Sequence, residues 1–246
     1  MAKKTAVIGL GEVGRPLYEL IGQTEADVLG IDVAPGELPR PGTVGVMHVC
    51  IPFEIDDFVG ETARYVDRLR PELTVINSTV GVGTTRAVHG RTGGRTVHSP
   101  IRGKHARMLE DLTYYDKFIG PIDADAGDLA TQHFESLGMG TTVLSSPEAS
   151  ELAKLTETTY FGVLIAWSQE VERYCEAVGV DYDEVVAFYE QVGYLPPVKF
   201  FPGVIGGHCV MPNIEILKGI ADAPLLEAVR CSNEHKVARE ATNASA

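Results

Sequence analysis

The chain has no long apolar run. Nowhere does it approach the roughly 20 apolar residues that a membrane-crossing helix needs. The short run after Lys3 and Lys4 breaks at Gly9 and Gly11, too early for a secretory signal. The expectation is a soluble, cytoplasmic protein with no membrane partner. Cysteine is scarce as well. Cys50, Cys175, Cys209 and Cys231 show neither close pairing nor CxxC spacing, which argues against a disulfide scaffold, a redox dithiol or a cysteine metal cage. No metal is expected. Cys50, Cys175 and Cys231 read as small buried hydrophobes. Positive charge is also short: 34 Asp and Glu face 21 Lys and Arg, for a formal net charge of −13. A surface of that sign repels phosphate backbones and anionic lipid, so nucleic acid is not an expected partner. An anionic small molecule stays open, because a few local donors outweigh a distant field. Internal repeats and low-complexity segments are missing too.

What remains has the composition of a globular protein: 246 residues, 44% hydrophobic and 22% charged, enough for one large domain or two small ones. Short β-branched runs alternate with helical patterns through the first half. Strands are expected at Thr5 to Ile8, Val28 to Ile31, Val44 to Ile51, Leu73 to Ile76, Thr96 to His98, Lys117 to Ile119 and Thr142 to Leu144. Helices are expected at Val13 to Gly22, Asp56 to Leu69 and Gly83 to His89. This alternation implies an α/β fold with a mostly parallel, doubly wound sheet. The pattern changes at Ser145. One helical run extends from Pro147 to Val178, with Ser146 as N-cap, Pro147 at the first helical position and Gly179 as the stop. A second helix is expected from Asp181 to Gln191. A Gly- and Pro-rich stretch from Gly193 to Asn213 follows, and a last helix runs from Pro224 towards Arg239.

Gly9-Leu10-Gly11-Glu12-Val13-Gly14 forms G-x-G-x-x-G between the first strand and a helix. Glycines there permit a tight turn and a close approach of the backbone to a pyrophosphate, which rests on free N–H groups at the helix start. Asp32 ends the next strand at about the 20-residue distance expected of an acidic ribose ligand. A carboxylate in that place accepts from both ribose hydroxyls and repels a 2′-phosphate, which selects NAD over NADP. The competing reading is a glycine-rich turn that binds nothing. On the cofactor reading, residues 1–145 form a Rossmann-type domain and residues 146–246 an all-helical one. Gly9, Gly11, Glu12, Val13, Gly14 and Asp32 then line the cofactor. Ile51, Pro52, Ser78 and Thr79 join them from strand ends, where open α/β sheets place their ligand loops.

Two further residues carry chemistry. Lys154 lies on an amphipathic helix beside Leu152, Leu155 and Thr158; it reads either as the holder of an oxyanion or as a solvated surface charge. Cys209 follows Gly203-Val204-Ile205-Gly206-Gly207-His208. Glycines leave a thiol unobstructed, and a position near a helix start favours the reactive thiolate.

Together these pieces resemble the UDP-glucose/GDP-mannose dehydrogenase family. The resemblance runs through the glycine turn, Val49-Cys50-Ile51-Pro52, Ser78-Thr79-Val80 with Gly83-Thr84-Thr85, and Ser99-Pro100. It continues through Ser150-Glu151-Leu152-Ala153-Lys154-Leu155, Gly206-Gly207-His208-Cys209-Val210, and Leu225 to Val229 with Asn233-Glu234. It implies two successive hydride transfers to NAD, from alcohol through aldehyde to acid, with a cysteine thioester hydrolysed at the end. By resemblance Cys209 is the nucleophile, Lys154 the oxyanion stabiliser and Thr79 a ligand orienting water or substrate. Lys154, Thr158, Gly206, Gly207 and His208 contact the substrate. Long helices of the second half pair two subunits, giving a homodimer.

The family pattern is broken in places. Its Ser-Pro-Glu is Ser99-Pro100-Ile101 here, and its second acidic position is His105. The usual Asn after the lysine is Thr158, and the usual Asp after the cysteine is Asn213. These changes remove carboxylates that would shuttle protons; His105 is the substitute base near neutral pH, and Asn213 keeps hydrogen bonding without accepting a proton. The sequence ends at Ala246, just after the last helix, so the expectation is a smaller substrate, or a separate polypeptide that supplies the family's second nucleotide-binding domain. The alternatives are a β-hydroxyacid dehydrogenase of the 6-phosphogluconate type, which needs no cysteine, and a non-catalytic NAD-binding protein.

Overall fold

The computed structural model describes residues 3–24, 27–32, 38–103, 107–193, 202–206, 209–220 and 223–243. By backbone contacts the chain divides into two compact units, Met1–Lys154 and Leu155–Ala246.

The first unit is built on strands β1 (Lys4–Ile8), β2 (Val28–Ile31), β3 (Val44–Val49), β4 (Leu73–Ile76), β5 (Thr96–His98), β6 (Lys117–Pro121) and β7 (Thr141–Val143). They form one sheet in the order β2-β1-β3-β4-β5-β6-β7. All neighbours are parallel except β5 and β6, which pair antiparallel through Val97 with Pro121 and His98 with Gly120. The helices are α1 (Gly14–Thr24), α2 (Phe58–Leu69), α3 (Thr84–Thr92), α4 (Met108–Tyr114) and α5 (Ala124–Ser136). The two-residue period of the strands sorts their side chains between two cores. Val7, Val75 and Val97 pack with Leu17, Leu112, Ala130 and Phe134 of α1, α4 and α5. Ala6, Ile8, Met47 and Ile76 pack on the other face with Phe58, Val66 and Val88 of α2 and α3. A mostly parallel sheet with helices on both faces is therefore present. Asp57 starts α2 by accepting from Gly60 N at 2.7 Å, and Asp123 starts α5 by accepting from Ala126 N at 2.9 Å.

Several boundaries differ from expectation. β3 stops at Val49, not Ile51, because the chain turns off the ladder once Cys50 N has bonded Ile8 O at 2.8 Å. α2 begins at Phe58, since Asp57 is occupied as its cap. α4 and α5 fill a stretch between β5 and β7 in which only β6 was expected.

Helix α6 (Pro147–Val178) crosses the division between the units. Ser146 Oγ accepts from Ala149 N at 3.2 Å as its cap, and Gly179, at φ 77°, closes it with a bond to Cys175 O. The first turns of α6 belong by contacts to the sheet unit, into which Ser150 and Glu151 are bonded.

The second unit holds the rest of α6 with α7 (Tyr182–Glu190), α8 (Val210–Lys218) and α9 (Pro224–Asn243). Val171 and Cys175 of α6 pack against Val186 of α7. Ala166 packs with Ile205, Val210, Ile214 and Val229. Gln169 bonds Asn233, Glu172 pairs with Lys236 and Glu176 with Arg239; the two series rise together, so α6 and α9 run side by side in the same direction. Cys231, read as buried, is exposed. Two residues on a helix are 200° apart, so the turn that buries Val229 and Asn233 faces position 231 outward.

Candidate active site

Strand β1 is flanked by β2 on one side and β3 on the other. Connections therefore leave in opposite directions at the carboxyl ends of β1 and β3, the switch point at which open α/β sheets leave a crevice. The glycine turn sits there. Gly9 has φ 86°, and a Cβ on it would stand 2.7 Å from the carbonyl oxygen of Cys50. A Cβ on Gly14 would stand 1.8 Å from the carbonyl oxygen of Gly9. Both positions require glycine for the turn itself. Gly11 is different: it is exposed, and a Cβ there meets nothing within 4 Å. Glu12 is exposed, Val13 half-buried, and Asp32 lies exposed just past β2. An open glycine over a helix start, with a carboxylate at the end of the neighbouring strand, fits a dinucleotide.

The carboxyl ends of five strands are tied into one belt. Gly9 N donates to Ile31 O at 2.8 Å, Cys50 N to Ile8 O at 2.8 Å, Asn77 N to Val49 O at 2.9 Å and Ser99 N to Ile76 O at 2.9 Å. Ser78 Oγ donates to Ile51 O at 2.6 Å, so its hydroxyl holds the loops after β3 and β4 together. Thr79 beside it is half-buried, as is Ile51, and Pro52 is exposed.

Beneath the belt lies a buried polar network that the strand patterns hid. Asn77 Nδ2 donates to Ser99 O at 2.6 Å. Its Oδ1 therefore faces His48 Nδ1 at 2.8 Å, which makes His48 the Nδ1–H tautomer and its Nε2 an acceptor. That acceptor meets His133 Nε2 at 2.8 Å. Lys117 Nζ donates to Ser99 O at 3.0 Å and Pro100 O at 2.9 Å. Burial holds His48 well below the ordinary imidazole value, takes His133 down to about 4 and Lys117 down to about 7. It also pushes the Cys50 thiol up to about 12. Cys50, expected to be buried, is half-buried and packs against the core that holds Val7, Leu17 and Phe134. His98 Nε2 donates to Ser78 O at 3.2 Å while its Nδ1 faces Ser150 Oγ at 2.9 Å; burial lowers it to about 3.

The first turns of α6 are clamped to α3. The buried Glu151 carboxylate accepts from Gly83 N at 2.6 Å and Thr85 N at 2.8 Å, occupying the positive end of the α3 dipole. Burial raises its pKa, against the hydrogen bonds that lower it. Arg86 pairs with Glu148 through both Nε and Nη2, at 2.5 and 3.0 Å. Lys154 stands one turn beyond Glu151, half-buried, and Thr158 one turn beyond that on the same face.

In the second unit Cys209 is the exposed N-cap residue of α8. Asn213 lies buried in the next turn of that helix, and Gly206 is exposed. Ile205, four residues before Cys209 in the chain, is held by Asn233, which accepts from Ile205 N at 2.7 Å and donates to Ile205 O at 3.1 Å. His105, Gly207 and His208 lie outside the described residues. Among the described residues, no group of His, Cys, Asp and Glu is placed to hold a metal ion, and no helix is long and apolar enough to cross a membrane.

Residues 148–235 match the central domain of the UDP-glucose/GDP-mannose dehydrogenase family. That stretch of the chain is similar to the family's central domain. It is 24% identical to the UDP-N-acetyl-D-mannosamine dehydrogenase of Methanocaldococcus jannaschii, over 85% of this chain and 60% of that protein. The chain thus spans about 60% of the length of such a curated relative. Its fold superposes on the UDP-D-ManNAc dehydrogenase of Pyrococcus horikoshii with a TM-score of 0.83 at 22% identity, covering 97% of this chain and 70% of that one. It also superposes on the 3-hydroxyisobutyrate dehydrogenase of Mycobacterium tuberculosis with a TM-score of 0.71 at 19% identity, covering 96% and 94%. The matched domain and the fold agree with the resemblance read from the motifs.

Sequence reasoning missed Asn77 as an organising side chain, together with His48, Lys117, His133 and Glu151. A signal existed for two of them. His48 and Lys117 are polar residues in otherwise apolar strands covered on both faces, where polar groups need internal partners.

Proposed function

We propose that the chain is a NAD-dependent dehydrogenase that oxidises a CH–OH group of a nucleotide sugar or a smaller polar substrate in the cytoplasm. The observation that carries this reading is the switch-point turn, where Gly9 and Gly14 admit no side chain and Gly11 stands open. Bound NAD supplies the hydride acceptor. Gly11, Glu12 and Val13 line the pyrophosphate, Asp32 accepts from the ribose hydroxyls, and Ile51, Pro52, Ser78 and Thr79 border the remainder. Lys154 and Thr158, on one face of α6, hold the substrate oxygen; the ammonium stabilises the alkoxide that precedes hydride loss. Cys209, exposed at the start of α8, adds its sulfur to the aldehyde carbonyl, and the oxygen takes the thiol proton. Transfer of a second hydride from that carbon to a second NAD, with the hydroxyl proton passing to the base, leaves a thioester, which water cleaves to the acid and the free thiol. Asn213 orients without taking a proton. His105 supplies the base in place of the missing carboxylates.

The chain pairs with a second copy. Tyr160, Trp167 and Tyr174 recur every seven residues along α6 and are all about half exposed, at 52%, 52% and 57%, a stripe that suits helix-to-helix packing. The names of the relatives make UDP-N-acetyl-D-mannosamine the first substrate to try, alongside other nucleotide sugars and small hydroxy acids. The fold's coverage of 94% of a 3-hydroxyisobutyrate dehydrogenase favours a second reading, single-step oxidation of a β-hydroxy acid without a thiol. Cys209→Ala separates the two. Turnover collapses with a covalent step and persists without one. No NADH formation with any substrate, despite binding of the cofactor, overturns both in favour of a non-catalytic NAD-binding protein.

A further inference from the structure

Strand β5 ends at His98, and its pairing with β6 ends there too. The chain beyond, Ser99 to Gly103, leaves the ladder at the carboxyl edge of the sheet. The carbonyl oxygens that mark its departure are received from below. Ser99 O takes Asn77 Nδ2 at 2.6 Å and Lys117 Nζ at 3.0 Å, and Pro100 O takes Lys117 Nζ at 2.9 Å. Lys117 is itself only 4% exposed. Its ammonium lies 5.1 Å over the ring of Phe134, beside a water-sized cavity bordered by Arg102, Asp111, Tyr115 and Asp116. Because β6 runs antiparallel, its first residue lies beyond the end of β5, and the lysine reaches back under the turn.

This buried amine stands at the far end of the belt that begins at the glycine turn. The belt passes from Gly9 through Cys50, Asn77 and Ser78 to Ser99. Asp32 fixes the adenosine side of a dinucleotide at the β2 end, so the nicotinamide half falls across the ends of β3, β4 and β5. We infer that Lys117 is a positioning residue: by holding the carbonyls of Ser99 and Pro100 it sets the loop after β5 against the nicotinamide half of the cofactor crevice. Two carbonyls gripped by one cation fix both the height and the tilt of the turn, which a single neutral donor does not. The inference rests on the dinucleotide reading above and goes beyond it, since Lys117 itself touches no ligand.

The experiment compares the whole chain with Lys117→Met and Lys117→Arg. Hydrogen exchange of residues 99–103 in ligand-free protein reads the anchoring. Titrations with NADH and with ADP-ribose read its consequence. Exchange of 99–103 rises at least tenfold in Lys117→Met while that of 9–14 stays unchanged. NADH binding weakens about tenfold, ADP-ribose binding does not, and Lys117→Arg, whose fork offers donors to the same two carbonyls, restores both readings. Lys117→Gln, with one donor left, gives an intermediate result and serves if the methionine variant does not fold. Unchanged exchange overturns the anchoring. Equal weakening of both ligands overturns positioning in favour of a purely structural role. A wild-type chain that binds neither ligand, with exchange still raised in Lys117→Met, overturns the dinucleotide reading and the functional half of the inference with it.

Discussion

Lowering the pH from 7 to 5 attacks the sheet unit from inside. His48, His98 and His133 are buried and neutral, and burial depresses the folded-state value of each below the ordinary 6.5. The unfolded chain therefore binds more protons than the folded chain between the depressed values and 6.5, so stability falls as the pH falls through that window. Geometry gives the same sign. A proton on His48 Nε2 would face the N–H of His133 across 2.8 Å, and a second proton on His98 would add charge near Lys117 and Lys154. With folded values of about 3 for His98 and about 4 for His133, each ring costs about 2 kcal/mol between pH 7 and 5, at about 1.4 kcal/mol per unit. The sum of about 4 kcal/mol, to which His48 adds with the same sign, is a large share of the roughly 5–15 kcal/mol that holds a domain folded. Urea titrations at the two pH values measure it as a drop in midpoint at constant slope. His98→Gln should recover about 2 kcal/mol of the drop. A midpoint that does not move between pH 7 and 5 refutes the reasoning.

Other outcomes follow from single contacts. Glu151→Ala strips the carboxylate from Gly83 N and Thr85 N and should cost about 2–4 kcal/mol in thermal or urea unfolding, with Glu151→Gln recovering part of it. Asn233→Ala leaves both polar groups of Ile205 without their partner; it should cost about 2–3 kcal/mol and raise hydrogen exchange of residues 203–206 above that of α7. Asp32→Ser removes the negative charge at the end of β2 and should narrow the gap between NAD and NADP affinities, measured as the ratio of the two Kd values. Cys231→Ser, at an exposed position, should leave stability unchanged within about 0.5 kcal/mol.

Much of the frame was readable because the local signals agreed. Strands β1 to β5 are short β-branched runs, and α6 carries both a Ser146-Pro147 start and a Gly179 stop. The helix α5 carries a sequence signal too: Asp123 caps it, and Ala126, Ala130 and Phe134 recur every four residues into the core. By contrast α4 spans seven residues and buries only Met108, Asp111 and Leu112, too little for a periodic signal. α8 sits in a Gly- and Pro-rich stretch, with Pro212 in its first turn, where no N–H is needed. The antiparallel entry of β6 is a tertiary choice that no local pattern encodes. The same holds for the site. The glycine turn is a sequence motif because its constraint is local, whereas the pairing of His48 with His133 joins residues 85 apart. Lys117 likewise carries no mark of the carbonyls it will serve.

The central claim is that a dinucleotide occupies the crevice over Gly11, and Gly11→Val tests it most directly. A side chain there meets no protein atom within 4 Å, so the variant should unfold at the same urea midpoint as the wild type while filling the place of the pyrophosphate. Calorimetric titration with NADH should give saturable binding to the wild-type chain and none to Gly11→Val. Equal binding by both proteins, or none by the wild type, would contradict the account.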